Sequence, residues 1–297
     1  MLTLDLDGEA VYALRFSADG QLLLAGGKRG RVRLWDDGYQ SFDLLSPGSD
    51  AIHGIDLHPL GRSALIATSG GPRMIALDTP GSASSIGPPT PRSTTAGQWI
   101  TGDLVAIGFG QRIKAEAGAL ELWDLSTSTR KEPRFPAPQG IRTLTALSYK
   151  KWLAWSEWGD KVQSGPRITL WEFASPTTTR IPLTQLATCL SFHPGGSILA
   201  LGSEWTVRLI DLDRRAERAV MKGHKGQVTG VAFHPEGNLV LSGSWDGSVR
   251  IWDPAAEREL QRFEWPYGKV LSVAHSPDGL RAAAGTDRGT IVVWDLD

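Results

Sequence analysis

The stretch Gly223–Asp253, GHKGQVTGVAFHPEGNLVLSGSWDGSVRIWD, decides the fold of this chain. It opens with a Gly-His pair, closes with a Trp-Asp pair and holds three short apolar runs between them. Turn residues separate the runs, His-Pro-Glu-Gly at 234–237 and Trp-Asp-Gly at 245–247. Runs rich in β-branched and aromatic residues, bounded by Gly, Pro and Asp, predict antiparallel strands. No helical period competes with this interpretation.

The closing Trp-Asp pair recurs along the chain at nearly even spacing. The equivalent pairs are Trp35-Asp36, Leu77-Asp78, Trp123-Asp124, Trp171-Glu172, Ile210-Asp211, Trp252-Asp253 and Trp294-Asp295. The first residues of successive pairs lie 42, 46, 48, 39, 42 and 42 positions apart. A period of roughly 40–45 residues is typical of a propeller blade, so the spacing predicts seven repeats. Six or eight repeats are the alternatives.

These repeats resemble those of the WD-repeat β-propeller family, in which each repeat supplies one four-stranded blade. The resemblance covers nearly the whole chain and implies an all-β, seven-bladed propeller, a single domain over residues 1–297. The blades are then expected to end near Asp36, Asp78, Asp124, Glu172, Asp211, Asp253 and Asp295. The segment LTLDL at 2–6 alternates apolar and polar residues as a strand does. The resemblance implies that this N-terminal strand completes the last blade and closes the ring.

The third and fourth repeats are the weakest, because longer excursions interrupt them at 110–118 and 159–166. The stretch 79–97 before the third repeat is rich in Pro, Ser and Gly. We interpret it as a long irregular loop with one short strand near 84–86. A linker that divides two domains is the alternative.

The resemblance implies a buried, hydrogen-bonded tetrad in the sixth repeat, formed by His224, Asp246, Trp252 and a strand serine. Ser242 and Ser244 both qualify, because alternation puts them on one face of the strand. A buried imidazole and a buried indole N–H each need a partner, and a carboxylate can fix the imidazole tautomer. A catalytic dyad of His224 and Asp246 is the alternative interpretation.

In four other repeats the turn position of Asp246 holds a different residue type: Arg29, Gly71, Glu204 and Arg288. We therefore expect most blades to lack the tetrad and to rely on apolar packing between blades.

Composition excludes several classes of function. The net charge is −1, from 31 basic and 32 acidic residues, which gives no general attraction to nucleic acid or anionic membranes. The single cysteine, Cys189, lies in an apolar run and is expected to be a buried, inert thiol. The first ten residues lack the basic and apolar regions of a signal peptide, and no apolar run is long enough to span a membrane. These features predict a cytoplasmic protein without a nucleic-acid partner.

The histidines do not suggest a metal site. His58, His193 and His234 occupy the same turn in three repeats, each followed by proline, so we interpret them as turn residues. Motifs for zinc, thiol or serine chemistry are missing from the sequence. We therefore expect no catalytic residue, no metal and no cofactor.

The resemblance implies that the turns between second and third strands share one end of the propeller with the connections between blades. We call this end the loop face, and in the family it usually carries partner binding. Aromatic residues at or beside these loops are Phe109, Trp158, Trp205, Trp245 and, in connections, Trp99, Trp265 and Tyr267. Aromatic clusters dominate interface energetics, although these rings could instead cover the core. Basic residues predicted at the same end are Lys28, Arg29, Arg73, Arg112, Lys114 and Arg288, for which an ordinary solvated rim is the alternative.

We therefore predict a non-catalytic scaffold or adaptor that binds a protein or peptide with acidic and apolar positions on its loop face. An enzyme or small-molecule binder that uses the central channel is one alternative. The first strands hold mostly Ala, Leu, Val, Ser and Thr rather than clustered ionisable residues, which disfavours catalysis there. A subunit of a stacked assembly is the other alternative, and the sequence fits both a monomer and an oligomer.

Overall fold

The computed structural model describes residues 1–61, 63–87, 93–110, 118–158, 165–173 and 175–296. Within these ranges the chain forms 28 β-strands and one turn of 3-10 helix, Ser148–Lys150, and no α-helix. The strands make seven four-stranded antiparallel sheets. The prediction of an all-β, seven-bladed propeller is therefore confirmed.

The N-terminal strand, β1, is Leu2–Asp5. The strands of blade one are β2 Val11–Phe16, β3 Leu23–Gly27, β4 Val32–Trp35 and β5 Ser41–Leu45. Those of blade two are β6 Ile52–Leu57, β7 Ser63–Thr68, β8 Gly71–Ala76 and β9 Ser84–Ser85. Those of blade three are β10 Thr94–Thr101, β11 Leu104–Phe109, β12 Gly118–Asp124 and β13 Thr129–Ala137.

The strands of blade four are β14 Ile141–Leu147, β15 Trp152–Glu157, β16 Arg167–Glu172 and β17 Thr178–Pro182. Those of blade five are β18 Cys189–Phe192, β19 Ile198–Ser203, β20 Thr206–Asp211 and β21 Ala216–Lys222. Those of blade six are β22 Val228–Phe233, β23 Val240–Ser244, β24 Ser248–Asp253 and β25 Arg258–Glu264. Blade seven contributes β26 Val270–His275, β27 Arg281–Thr286 and β28 Thr290–Asp295.

The first strand of every blade is the innermost one. These seven strands contact one another in turn around the ring, and β26 of blade seven contacts β2 of blade one. In blade seven the outermost position is taken by β1, which pairs antiparallel with β28 from Leu2 opposite Val293 to Asp5 opposite Thr290. Leu6, just after β1, is fully buried. The two ends of the sequence therefore share one sheet.

Buried apolar residues form seven clusters, and each cluster fills the seam between two adjacent blades. The second strand of a blade must approach the next blade closely, and glycine makes this possible. A Cβ on the second-strand glycine would collide with the Val or Ile that begins the next blade's first strand. The five such pairs are Gly26 with Ile52, Gly108 with Ile141, Gly202 with Val228, Gly243 with Val270 and Gly285 with Val11.

Hydroxyl groups add a polar tie across the seams. Thr229 Oγ1 donates to Val270 O of blade seven at 2.8 Å and also approaches Gly243 O of its own blade at 3.1 Å. Thr95 and Thr188 repeat this arrangement toward Ile141 O and Val228 O, at 2.7 and 2.6 Å. Seams are therefore held by hydrogen bonds as well as by the apolar packing that the sequence predicts.

The loop face is defined by a repeated hydrogen bond in the structure. In six blades, the N–H of the first residue after the second strand donates to the carbonyl of the residue just before the first strand of the same blade. The bonds are Lys28 to Ala10, Ser69 to Ala51, Gly110 to Ser93, Trp158 to Gly140, Trp245 to Gln227 and Asp287 to Lys269. The second-to-third-strand turns and the connections between blades therefore lie at one end of the ring.

At the opposite end, the repeated histidines act as turn residues. His58 and His193 each accept, through Nδ1, the N–H two residues later, at 3.1 and 2.8 Å. His234 does the same for Glu236 at 3.2 Å, and its Nε2 reaches Gly279 O of blade seven at 3.1 Å. This explains why the residue type recurs at one repeat position.

The stretch 79–97 differs in part from the expectation of a long loop. The short strand β9 does lie where one was predicted, but the innermost strand β10 already begins at Thr94. Trp99, which we assigned to a connection, lies inside β10 and is buried in the seam between blades two and three. The Pro- and Gly-rich composition obscured the start of this strand.

Candidate partner-binding face

Two tryptophans stand out from the loop face on adjacent blades. Trp205 occupies the turn between β19 and β20 of blade five, and its side chain is 62% exposed. Trp245 occupies the turn between β23 and β24 of blade six and is 45% exposed. In both blades the second strand ends on a buried serine, Ser203 or Ser244, so the aromatic ring falls beyond the strand and outside the seam.

The connection 223–227 joins these two turns into one surface. Val228 N donates to Glu204 O at 2.6 Å, and Trp245 N donates to Gln227 O at 2.9 Å. Lys225 lies exposed in the middle of this connection. On the far side of Trp245, the ammonium of Lys269 lies 4.9 Å from the centre of the indole ring, a distance at which cation–π attraction operates.

Cations continue this surface around the ring. Lys28 and Arg29 of blade one and Arg288 of blade seven are all exposed. Lys28 and Arg29 border a cleft of about 380 Å³ at the junction of blades seven and one, which Glu9, Ser49 and Asp287 also line. Five of the ten residues predicted for the binding face therefore lie exposed at that end: Trp205, Trp245, Lys28, Arg29 and Arg288.

The other predicted residues lie in different environments. Phe109 is only 2% exposed and packs in the seam between blades two and three, so its assignment to an exposed face was wrong. As the last residue of β11 it still follows strand alternation, which turns the ring inward. Trp158 is half-buried beneath the Arg142 guanidinium, which lies 4.5 Å from the ring centre.

Tyr267 and Arg73 also have internal roles. Tyr267 is half-buried and packs on the cluster between blades six and seven. Arg73 lies within β8 and forms a partly exposed ion pair with Asp50 at 2.8 Å, so its guanidinium is not an unpaired charge. Arg112 and Lys114 lie outside the described residues.

The structure brings the predicted tetrad together in blade six. His224 Nε2 lies 2.8 Å from Ser242 Oγ, His224 Nδ1 lies 3.0 Å from Asp246 Oδ2, and Trp252 Nε1 donates to Ser242 Oγ at 2.8 Å. The strand serine is thus Ser242. Ser244 instead donates to Gly226 O at 2.9 Å and supports the turn.

The Asp–His–Ser order of these contacts also occurs in hydrolases, but the environment differs. Ser242 is 0% exposed, and its oxygen receives the indole N–H, so a substrate has no approach to it in this conformation. Burial raises the pKa of Asp246, but hydrogen bonds from His224, Ser248 and the Lys225 N–H lower it more, and the net pKa lies well below its ordinary value. The Asp246 carboxylate is therefore ionised near neutral pH and acts as a hydrogen-bond acceptor inside the blade.

Other blades replace the tetrad with different polar ties that were not predicted from the sequence; they join the connection before the first strand to the second-to-third-strand turn or, in blade two, to β8. Asp50 pairs with Arg73 in blade two, and Gln185 donates to Glu204 at 2.6 Å in blade five. Asp287 accepts the Lys269 N–H at 2.8 Å in blade seven. In blade one the carboxylate of Glu9 accepts the Arg29 N–H. Apolar packing is therefore not the only interaction that holds these blades.

In the described parts of the chain, no group of three or more His, Cys, Asp or Glu side chains could hold a metal ion. Burial raises the pKa of the Cys189 thiol to about 11, which keeps it protonated and unreactive near neutral pH. Within the same ranges, no helix has the length and apolar character needed to cross a bilayer.

Comparison with known proteins agrees with this architecture. The family model described as "WD domain, G-beta repeat" matches residues 2–36, 216–253 and 258–295. The chain belongs to the WD-repeat β-propeller family. Each match begins at the outermost strand of one blade and ends with the third strand of the next blade, so the three matches run from β1 through β4, from β21 through β24 and from β25 through β28.

Several curated proteins are similar over part of this WD-repeat chain. The Serine-threonine kinase receptor-associated protein of Dictyostelium discoideum is 29% identical over 45% of this chain and 43% of its own length. THO complex subunit 6 of Homo sapiens is 27% identical over 39% of this chain and 32% of its own length. Pre-mRNA-processing factor 19 homolog 2 of Arabidopsis thaliana is 36% identical over 26% of this chain and 14% of its own length. The chain thus aligns with less than half the length of each of these relatives.

Two residues of this surface were not predicted from the sequence, Lys225 and Lys269. Both lie just before a first strand, in connections that look like ordinary polar loops. Lys225 lies between the tryptophan-bearing turns of blades five and six, and Lys269 lies beside that of blade six, which becomes visible only when neighbouring blades are placed side by side.

Proposed function

We propose that this WD-repeat propeller is a non-catalytic scaffold that binds a protein or peptide partner through the loop face of blades five and six. The observation that carries this proposal is the paired exposure of Trp205 and Trp245 on one hydrogen-bonded surface. Large exposed aromatic rings are uncommon on surfaces without a binding role, and tryptophan is enriched among interface hot spots.

The relatives support the scaffold class. One is named as a receptor-associated protein and another as a subunit of a complex, names that describe association with other proteins. The buried, ionised tetrad and the inert thiol likewise give no support to a catalytic role. We extend to this chain only the class of activity, a protein that works by binding others.

The test is capture of partners by the full chain from a lysate of its source organism, followed by titration with the purified partner. We expect Trp205→Ala and Trp245→Ala each to weaken binding by roughly 2 kcal/mol or more, the scale of a hot spot. Phe42→Ala is the matched control, because Phe42 is 42% exposed on the outermost strand of blade one, away from the proposed face.

Melting curves on the same variants separate binding from folding. We expect the two tryptophan variants to melt like the wild-type chain, because an exposed ring contributes little to the core. Variants that melt early and then bind normally once folded would contradict the proposal and assign the rings to core cover.

A stacked assembly of this chain would use the same rings in a different way, since a second copy would cover them. Light scattering on the purified chain distinguishes the two arrangements. A scaffold that binds other proteins predicts that Trp205→Ala and Trp245→Ala leave the measured mass unchanged, whereas a stacked assembly predicts that they lower it.

A further inference from the structure

The two ends of the ring carry different charge. In every repeat an acidic residue ends the third strand or follows it within two residues, at the end of the ring opposite the loop face. Many of them accept N–H groups of the next turn, as Asp253 does from Ala255 and Ala256 at 2.9 Å. The repeat thus places acid at the opposite end for a structural reason, in a chain whose net charge is only −1.

On the loop face of blades five, six, seven and one, the cations point outward. The exposed cations are Lys225, Lys269, Arg288, Lys28 and Arg29. None of these five forms an ion pair with another residue of the described ranges. An unpaired cation cluster at one end of a nearly neutral chain attracts and orients acidic partners.

The acidic residues of the same loops are turned inward or engaged. Asp246 belongs to the buried tetrad, Asp287 accepts the Lys269 N–H, and Glu9 is buried against the Arg29 N–H with Arg31 Nε at 3.8 Å. Glu204 is exposed but accepts a hydrogen bond from Gln185. These acidic side chains therefore cancel only part of the attraction that the five exposed cations exert on an acidic partner.

A continuous series of contacts connects Trp245 to the cleft. Trp245 lies under the Lys269 ammonium, and the Lys269 N–H bonds Asp287 at 2.8 Å. Asp287 lines the cleft that Lys28 and Arg29 border. The cleft of about 380 Å³ has room for an acidic side chain beside the two cations and the Ser49 hydroxyl.

We infer that the surface from Trp205 to the cleft binds an acidic peptide segment. Apolar side chains of the partner rest on Trp205 and Trp245. A carboxylate or phosphate group of the same segment enters the cleft between blades seven and one. Lys28 and Arg29 would donate charge-assisted hydrogen bonds to that anionic group. The inference rests on the proposed function and specifies the chemistry of the partner.

A peptide fits these observations better than a single-stranded nucleic acid. A nucleic acid would also use cations and stacked tryptophans, but it brings one phosphate per nucleotide. The carboxylates of Glu9 and Asp287 in the cleft wall and Glu204 beside Trp205 would repel a continuous run of phosphates. A segment with isolated acidic groups between apolar residues meets less of this repulsion, because only one of its anionic groups enters the cleft, where Lys28 and Arg29 offset the two carboxylates.

The experiment selects binders from a phage-displayed library of random short peptides on the full chain and measures their affinities by titration. We expect the enriched peptides to combine Asp or Glu with aromatic or aliphatic residues, and to bind less tightly as NaCl rises. The double variant Lys28→Gln/Arg29→Gln should weaken them by about tenfold or more. The matched control is Arg214→Gln/Arg215→Gln, two adjacent exposed cations at the opposite end, which should leave affinity unchanged.

Further arms distinguish the source of the anion and the class of ligand. Versions of a selected peptide with phosphoserine or with serine in place of the acidic residue show whether phosphate or carboxylate fits the cleft better. Binding of a single-stranded oligonucleotide that requires Trp205 and Trp245 and displaces every selected peptide would overturn the inference.

Two results separate this inference from the proposed function. Peptides that need Trp205 and Trp245 but carry no acidic residue, or ignore Lys28→Gln/Arg29→Gln, would overturn the inference and leave the scaffold proposal standing. The inference would also be overturned if the selected peptides bound independently of both tryptophans. The same holds if the library yielded no peptide whose binding depends on Trp205 and Trp245 or on Lys28 and Arg29. Failure of the Trp205→Ala and Trp245→Ala titrations with the captured partner would remove the scaffold proposal itself.

Discussion

Phe109 in blade three and Trp245 in blade six occupy adjacent positions when their repeats are aligned, but one ring is buried and the other is exposed. Both follow a second-strand glycine that touches the next blade, Gly108 or Gly243. Phe109 comes directly after its glycine, still pairs within the sheet, and fills a seam. Trp245 comes one residue later, beyond the end of its strand, and is exposed on the loop face.

The exposure of an aromatic ring at this turn therefore depends on its register along the strand rather than on its residue type. Side chains alternate between the two faces of a strand, so a shift of one residue moves a ring from seam to solvent. Trp158 in blade four has the same offset from its strand as Trp245, yet Arg142 covers its ring. Blades five and six therefore expose a tryptophan ring at this turn, whereas the rings of blades three and four are covered.

The largest loss of stability is expected when blade seven is disrupted, because β1 supplies its outermost strand. Deletion of residues 1–7 should remove the buried Leu6 and the pairing with β28, and expose the edge of β28. We expect a loss of at least about 3 kcal/mol, with a lower melting temperature and aggregation. Substitution of the exposed Thr3 by Ser is the control, and equal melting of the deletion variant and the wild type would refute the role of β1 in blade seven.

Phe109→Ala tests the comparison directly. Removal of this ring should leave a cavity in the seam between blades two and three and lower the free energy of unfolding by about 3–5 kcal/mol. Trp205→Ala and Trp245→Ala, by contrast, should change it by no more than about 0.5 kcal/mol. Chemical denaturation measures all three variants, and similar losses in all of them would break the distinction between seam and face.

His224→Ala should have an intermediate effect, because it leaves Asp246 and Ser242 without a buried partner. We expect a loss of about 1–3 kcal/mol in chemical denaturation while partner binding persists. The paired observation of unchanged stability and loss of a catalytic activity would contradict the structural role of the tetrad and support a dyad.

Acid should weaken blade six through Asp246. Its folded pKa lies below the ordinary value of 3.8, so its stabilisation is present above that value and is lost as pH falls toward the folded pKa. Asp246→Asn should therefore be less stable than wild type near neutral pH, and the difference should shrink between about pH 5 and about pH 2. Denaturation curves across this range measure the difference, and a constant gap would contradict the shift.

The fold was predictable from sequence because each repeat meets the same physical demands. The even spacing of Trp-Asp pairs predicted seven repeats, and the resemblance of the sixth repeat to the WD-repeat family implied its tetrad. Sequence could not choose between Ser242 and Ser244, because both lie on one face of β23 and only the position of the imidazole separates them.

The site was predictable only in part. Turn position predicted the exposure of Trp205 and Trp245 and of three cations, Lys28, Arg29 and Arg288, but Phe109 was misplaced because an excursion at 110–118 hid the end of β11. Ties between blades, such as Thr229 to Val270 O, depend on which carbonyl the next blade presents, and a single repeat does not contain that information. Lys225 and Lys269 were missed for the same reason.

Hydroxyl-radical footprinting of the full chain, read by mass spectrometry with and without its captured partner, tests the central claim most directly. In the free chain we predict strong labelling of Trp205 and Trp245 and little labelling of Phe109. Addition of the partner should protect both tryptophans and leave Phe42 and Leu60, which are exposed elsewhere on the ring, labelled as before. Unchanged labelling of Trp205 and Trp245 in the complex, or weak labelling of both in the free chain, would contradict the account.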